Sequence, residues 1–295
     1  MIRQHPALDG VIELNRGWFT SLRGIREARQ ILRQHRFDIA IDCQGLTKSA
    51  LAGWLSGASQ RIGYAGRHGG ELSRILNNIR VKPVFSHLTD RSLELLIPVG
   101  ITAPKVSWML PIPEAARNWA SRWRRTIPTS RLAVLNPGAT AYSKTWEADR
   151  FGATARYLAN RYGYRSVVVW GNSQERAMAE QIVSHSEGAA TLAPDTDLHH
   201  LSALIASSDL FISGDTGPLH ISVAVGTPTI GLYGSTRPGD SGPYGQIALQ
   251  KAYESGSRRH RRNADNSAMR QIQVRHVCEA IDQIEQKREL MVTAA

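Results

Sequence analysis

The residues from 132 to 233 constrain the fold most. Short apolar runs alternate there with helical patterns at a regular spacing. The order reads strand Leu132-Leu135, helix Ala148 to Tyr162, strand Ser166-Trp170, helix Gln174 to Ser184 and strand Ala190-Leu192. Helix Leu198 to Ser207, strand Leu210-Ser213, helix Leu219 to Val225 and strand Thr229-Tyr233 complete it. Strands separated by helices of about 10–15 residues predict βαβ units and a parallel sheet.

The first part of the chain alternates less cleanly. Leu22, Ile25, Ala28 and Leu32 recur at helical spacing, with arginines between them. Phe37 to Asp42 reads as a short buried strand, Thr47 to Leu55 as a helix, Gly57 to Gly70 as a loop, and Leu88 to Leu96 as a helix. The prolines between 104 and 130 mark a linker. The predicted division is therefore an incomplete first domain over 1–125, a second over 126–273 and a C-terminal helix over 274–295. In that helix Val277, Ile281 and Ile284 share a face.

Charge narrows the partners. The 36 Lys and Arg against 25 Asp and Glu leave a net +11 over 295 residues. Such a balance favours anionic partners. The two cysteines exclude a disulfide scaffold and fit a reducing compartment. The absence of CxxC and CxxH pairs argues against structural zinc. No apolar run approaches the roughly 20 residues that span a bilayer, and Met1 to Pro6 lack a signal-peptide core. A cytoplasmic location is expected, with contact to a membrane from the inside. No helix-turn-helix, zinc-finger or RNP-type pattern supports a nucleic-acid partner.

In doubly wound sheets ligands bind beyond the carboxyl ends of the strands. Four such junctions are polar or glycine-rich. Ser213 to His220 opens a helix, with Gly217 expected at the N-cap and Pro218 in the first turn. Its unpaired N–H groups suit a phosphate, and His220 lies a turn further on. Capping by Asp215 or Thr216 is the bland alternative. Asn136 to Thr140, with Ser143 and Lys144, can offer a hydroxyl and a point charge to a diphosphate. It is not a Walker A loop. An ordinary strand-to-helix turn explains that segment equally well. Glu175 can hold ribose hydroxyls, or simply favour a helix start. Tyr233 to Gly245 forms a shaped, glycine-rich loop.

In the first half, Lys48 follows the Asp42 strand and could face an anionic acceptor with the arginines of the preceding helix. A solvated helix residue is its default explanation. His87, Asp90 and Arg91 suit a capping and ion-pair cluster better than a catalytic one. The run Ser257 to Arg262 reads as a solvated loop, with lipid phosphates as the sharper alternative.

Together and in this order, these segments resemble glycosyltransferase family 9, the lipopolysaccharide heptosyltransferases. Asp215-Thr216-Gly217 with His220, Gly226-Thr227-Pro228 and Tyr233 to Thr236 carry the likeness. So do Thr140, Lys144 and Trp146. Asp42 to Ala50 and Tyr244-Gly245 are most similar to heptosyltransferase I. The resemblance implies an α/β GT-B fold, two Rossmann-like domains facing across a cleft. It implies inverting transfer of a heptose from ADP-heptose to a Kdo sugar of the lipopolysaccharide inner core. No metal and no cofactor are implied. Thr140, Lys144, Thr216, Gly217 and His220 would hold the diphosphate, Glu175 the ribose, and Asp215 would lie beside the transferring sugar. Lys48, Arg23 and Arg26 would face the acceptor, an anionic glycolipid of Kdo-lipid A type at the cytoplasmic face of the inner membrane. Alternatives are another family 9 transferase, such as heptosyltransferase II, or a fragment that only binds the nucleotide.

The chain departs from the family pattern at one place. The family opens with a strand, a Ser-rich loop ending in Gly-Asp, a helix and a second strand, and that Asp is the expected base. Here the likeness begins near His5 to Ile12, after that point. Asp9, Asp38 and Asp42 do not occupy the base position. The expectation is that Met1 is not the natural start, and that the missing unit leaves an aggregation-prone sheet edge.

Overall fold

The computed structural model describes residues 2–70 and 72–293. Met1, and with it the question of the natural start, lies outside them. The chain divides into two compact units, Pro6–Ser107 and the residues from Trp108 onward.

The first unit holds a three-stranded parallel sheet of β1 (Ile39–Ile41), β2 (Gln60–Tyr64) and β3 (Ile79–Val81), in the order β1-β2-β3. Helices Leu22–Arg33 and Thr47–Ser56 pack together, joining Ala28, Leu32 and Leu55 in a small core. The strand β2 corrects the expectation of a loop over Gly57 to Gly70. Only Ile62, Gly63 and Tyr64 of it are buried, and a central parallel strand of this length needs no more. The side of β1 away from β2 has no strand partner among the described residues. Phe37, Ile39 and Ile41 are 41%, 41% and 39% exposed there, beside an apolar groove of about 300 Å³.

Asp42, at the end of β1, is buried and structural. Its carboxylate accepts from the backbone N–H groups of Gln44 and Gly45 at 3.2 and 3.0 Å. It also accepts from Ser73 Oγ at 3.0 Å and Asn77 Nδ2 at 3.3 Å. Gly45 is required in that turn. Its φ is +65°, and a Cβ would stand 2.2 Å from the His68 carbonyl oxygen.

The second unit holds six parallel strands. These are β4 (Arg131–Asn136), β5 (Tyr164–Val168), β6 (Ala190–Leu192), β7 (Leu210–Gly214), β8 (Thr229–Leu232) and β9 (Ile247–Leu249). Their order is β6-β5-β4-β7-β8-β9. The chain winds outward from β4 in both directions, so the crevice between β4 and β7 is the topological switch point. Side chains alternate along β4. Ala133 and Leu135 join a core with helices Ala148–Tyr162, Ser173–His185 and Val274–Thr293. Leu132 and Val134 join the opposite core, with helix Leu198–Ala206 and Leu219.

The unit boundary falls after Ser107, earlier than the expected division at 125. Helix Glu114–Arg124 packs Ala116 and Ala120 against Ala203 and so belongs to the second unit. The C-terminal helix is also part of that unit. Its buried Glu285 pairs with Arg131, and with Arg288 at 2.8 Å, and accepts from Tyr164 Oη at 2.6 Å.

Candidate functional site

The register of the sheet builds the site. Asn136 ends β4 and is paired with Ser213 of β7, so both side chains leave the same face. Buried Asn136 donates from Nδ2 to Ser213 Oγ at 2.8 Å and to Thr216 Oγ1 at 3.0 Å. One amide thus spans the switch point and fixes two hydroxyls.

Helix Gly217–Ala224 follows β7. Its N-cap is Thr216, one residue before the expected Gly217. The Thr216 hydroxyl is engaged by Asn136 and Ser213 and makes no cap bond to the helix. Capping by Thr216 therefore does not explain the segment. The N–H groups of that first turn lack a side-chain cap, as an anion site requires. Val225 is the C-cap of the helix, and Gly226 supplies the left-handed turn at φ +80°.

The second wall is the turn after β4. Ser143 is buried and its hydroxyl reaches Ser235 Oγ at 3.3 Å, joining this turn to the loop after β8. Trp146 anchors it from below: the indole N–H donates to the Ile272 carbonyl at 2.8 Å, and the ring packs edge-on against Phe151. Lys144 is thereby carried to Asp215, with Nζ 2.6 Å from Oδ2. Thr236 Oγ1 donates to the same oxygen at 2.9 Å. His220 Nε2 lies 3.9 Å from Oδ1. Both members of the Lys144–Asp215 pair are largely shielded from solvent, so the pair is strongly oriented. Tyr233, fully buried nearby, has its phenol pushed well above the ordinary range by burial and by the Asp215 charge.

Glu175 sits in the first turn of its helix, which Asn172 caps by accepting from the Glu175 N–H at 3.0 Å. The Glu175 carboxylate accepts from the Gly171 N–H at 2.8 Å and lies against the β4 turn. A Cβ at Gly138 would stand 3.0 Å from it. Glu175 is therefore adjacent to the segment that carries Thr140.

A cavity of about 460 Å³ opens beside Lys144, lined by Thr140, Ser235, Thr236, Arg261 and Arg262 among others. The two arginines were not expected there. Ser257 to Arg262 reads as a solvated loop in sequence, yet residues Arg258–Asn263 form a short helix packed against the Tyr142–Lys144 turn. A dense charge run conceals packing of this kind, because only the fold reveals what the guanidiniums face.

The residues assigned to an acceptor lie in the first unit. Arg23 is exposed and paired with Glu27 at 2.8 Å. Arg26 and Lys48 are exposed on helices Leu22–Arg33 and Thr47–Ser56. His87 caps helix Leu88–Glu94 by accepting from the Thr89 N–H, in keeping with the structural reading of that cluster.

The sequence pattern of glycosyltransferase family 9 (heptosyltransferase) matches residues 25–268. Lipopolysaccharide heptosyltransferase 1 of Pseudomonas aeruginosa is 28% identical over 82% of this chain and 69% of its own length. The chain spans about two thirds of the length of the curated relatives it matches. Among solved structures, a family 9 glycosyl transferase from Veillonella parvula has a TM-score of 0.81 at 23% identity. That match covers 97% of this chain and 85% of the other. The E. coli heptosyltransferase WaaC, solved with ADP, has a TM-score of 0.67 at 23% identity, covering 91% and 80%. The parallel sheets and these neighbours agree with the α/β GT-B class. The chain belongs to glycosyltransferase family 9, the heptosyltransferase family.

Proposed function

We propose that this protein transfers a heptose from ADP-heptose to a Kdo sugar of the lipopolysaccharide inner core, with inversion at the anomeric carbon. The observation that carries the reading is the switch point of the second sheet. Lys144, the uncapped start of helix Gly217–Ala224 and the Thr140, Thr216 and Thr236 hydroxyls gather there. Such a set suits a diphosphate leaving group. Preorganised N–H groups and a cation stabilise the negative charge that develops as the bond to the sugar breaks. The relative solved with ADP supports the nucleotide, and Glu175, beside the β4 turn, is the carboxylate assigned to the ribose hydroxyls.

Asp215 has a narrower role in this mechanism than that of a base. Its Oδ2 is occupied by Lys144 and Thr236, so it orients the lysine beside the transferring sugar. Lys48, Arg23 and Arg26 supply positive charge for the anionic acceptor, a glycolipid of Kdo-lipid A type at the inner membrane surface. No helix among the described residues is long and apolar enough to cross a membrane, and the contact proposed is peripheral.

One observation favours a second reading, in which this chain binds the nucleotide without transfer. The carboxylates described at the site, Asp215 and Glu175, are both hydrogen-bonded within it. The experiment is incubation with ADP-heptose and a Kdo-bearing lipid acceptor, followed by ADP release and the mass of the product. Heptosylated acceptor supports transfer. ADP-induced thermal stabilisation with no product supports binding alone, and neither result with ADP sinks both.

A further inference from the structure

Arg261 and Arg262 stand in a distinctive setting. Ser257 caps their short helix by accepting from the His260 N–H at 3.2 Å. Buried Asn266 then ties the following residues to the site turn, donating to the Thr145 carbonyl at 3.2 Å. Arg261 is half-buried. Its Nη1 donates to Tyr253 Oη at 2.6 Å and to the Gly256 carbonyl at 3.2 Å. Its guanidinium lies 5.8 Å from the centre of the Tyr253 ring, and that of Arg237 lies 4.7 Å from the same centre. Arg237 lines a neighbouring cavity together with Asp240, whereas Arg261 also reaches the cavity beside Lys144.

Charge around the cavity beside Lys144 favours an anion. Its lining holds three cations, Lys144, Arg261 and Arg262, and no carboxylate. Lys144 is already matched by Asp215. Neither arginine has a carboxylate partner among the described residues. Planar guanidinium forks bind phosphate oxygens through paired hydrogen bonds, which an ammonium cannot do.

We infer that helix Arg258–Asn263 is an anion clamp, in which Arg261 and Arg262 take the diphosphate of the nucleotide-sugar together with Lys144. The inference rests on the donor reading of this cavity. Tyr253 holds Arg261 ready before the ligand arrives, so little ordering is left for the moment of binding.

Calorimetry with ADP and with inorganic pyrophosphate tests it on the full chain. Arg261→Ala combined with Arg262→Ala should weaken both ligands by about tenfold or more, with a flatter dependence on salt. Arg261→Lys should recover only part of the loss. Arg262→Ala alone, at an exposed position, keeps the test valid if the Arg261 variants fail to fold. Unchanged ADP and pyrophosphate affinity in the arginine variants, with loss in Lys144→Ala, would overturn the clamp. So would unchanged affinity for both ligands with lost binding to phosphatidylglycerol vesicles. Arginine-dependent pyrophosphate binding in a protein indifferent to ADP would support the clamp while sinking the donor reading.

Discussion

Lys144 Nζ lies 2.6 Å from Asp215 Oδ2, so the cation offered to a ligand is already matched by a carboxylate. A diphosphate must compete with that carboxylate. Lys144→Ala should weaken ADP binding about tenfold to a hundredfold, since a hydrogen bond to a charged group is worth about 1.5–3 kcal/mol. Asp215→Asn should act in the opposite direction and bind ADP a few-fold more tightly, because it leaves the lysine charge unmatched. Calorimetric titration reads both, and weaker ADP binding by Asp215→Asn would contradict the competition.

Asn136→Ala removes one amide that serves two hydroxyls. Ser213 is buried and Thr216 half-buried, so both lose a partner where water is scarce. The expected loss is about 1–3 kcal/mol in urea unfolding. ADP affinity should fall as well, because Thr216 loses the bond that aims it. Stability loss with unchanged affinity would place Thr216 outside the ligand's reach.

Glu285→Ala should destabilise the second unit by about 3 kcal/mol. The carboxylate is 2% exposed and paired with two arginines, and removing it strands their charges. ADP affinity at low temperature should stay at the wild-type value. Parallel loss of both would show that the two ends of the sheet are coupled.

The pH response should have two limbs around Asp282. Burial works to raise this carboxyl. Hydrogen bonds from Tyr157 at 2.6 Å and Tyr162 at 2.7 Å, with Arg161 nearby, outweigh it and hold the group below its ordinary 3.8. A depressed carboxyl contributes stability above 3.8 that is lost as pH falls towards its folded value. The two phenols are raised, first by burial and then by Asp282, so their contribution is lost as pH climbs above 10. Melting temperature against pH should therefore drop at both extremes, and Asp282→Asn should flatten the acid limb while only reducing the alkaline one, which burial chiefly sets. An unchanged profile in that variant would remove Asp282 from the account.

The open side of β1 should govern association of the isolated chain. Ile39 and Ile41 are exposed in an edge strand beside an apolar groove. Ile41→Lys should lower aggregation, measured by light scattering, without changing ADP affinity. Equal scattering from both proteins would show that another surface is responsible.

The second unit was legible because its central strands are apolar on both faces, and runs such as Leu132 to Leu135 leave a plain trace. The site was legible for the same reason, since its residues sit where those runs stop. The strand β2 escaped notice because Gln60 and Arg61 open it and only three residues are buried. β3 and β9, three residues each, were missed on similar grounds. The unit boundary was displaced because nothing local says that Ala116 and Ala120 meet Ala203, some eighty residues away. Arg261 and Arg262 were missed because charge density carries no direction.

Glu285 meets Arg131 and Tyr164 at the starts of β4 and β5, and Arg288 meets the Asp209 carbonyl just before β7. Lys144, Asp215 and Thr216 follow the ends of the same strands. The sheet thus has a foundation at one rim and a workbench at the other, separated by the length of its strands. Substitutions at distant rims add nearly independently. Ligand preference in such a molecule can drift without passing through unstable intermediates, and a lineage could retool the donor end while its foundation stays untouched.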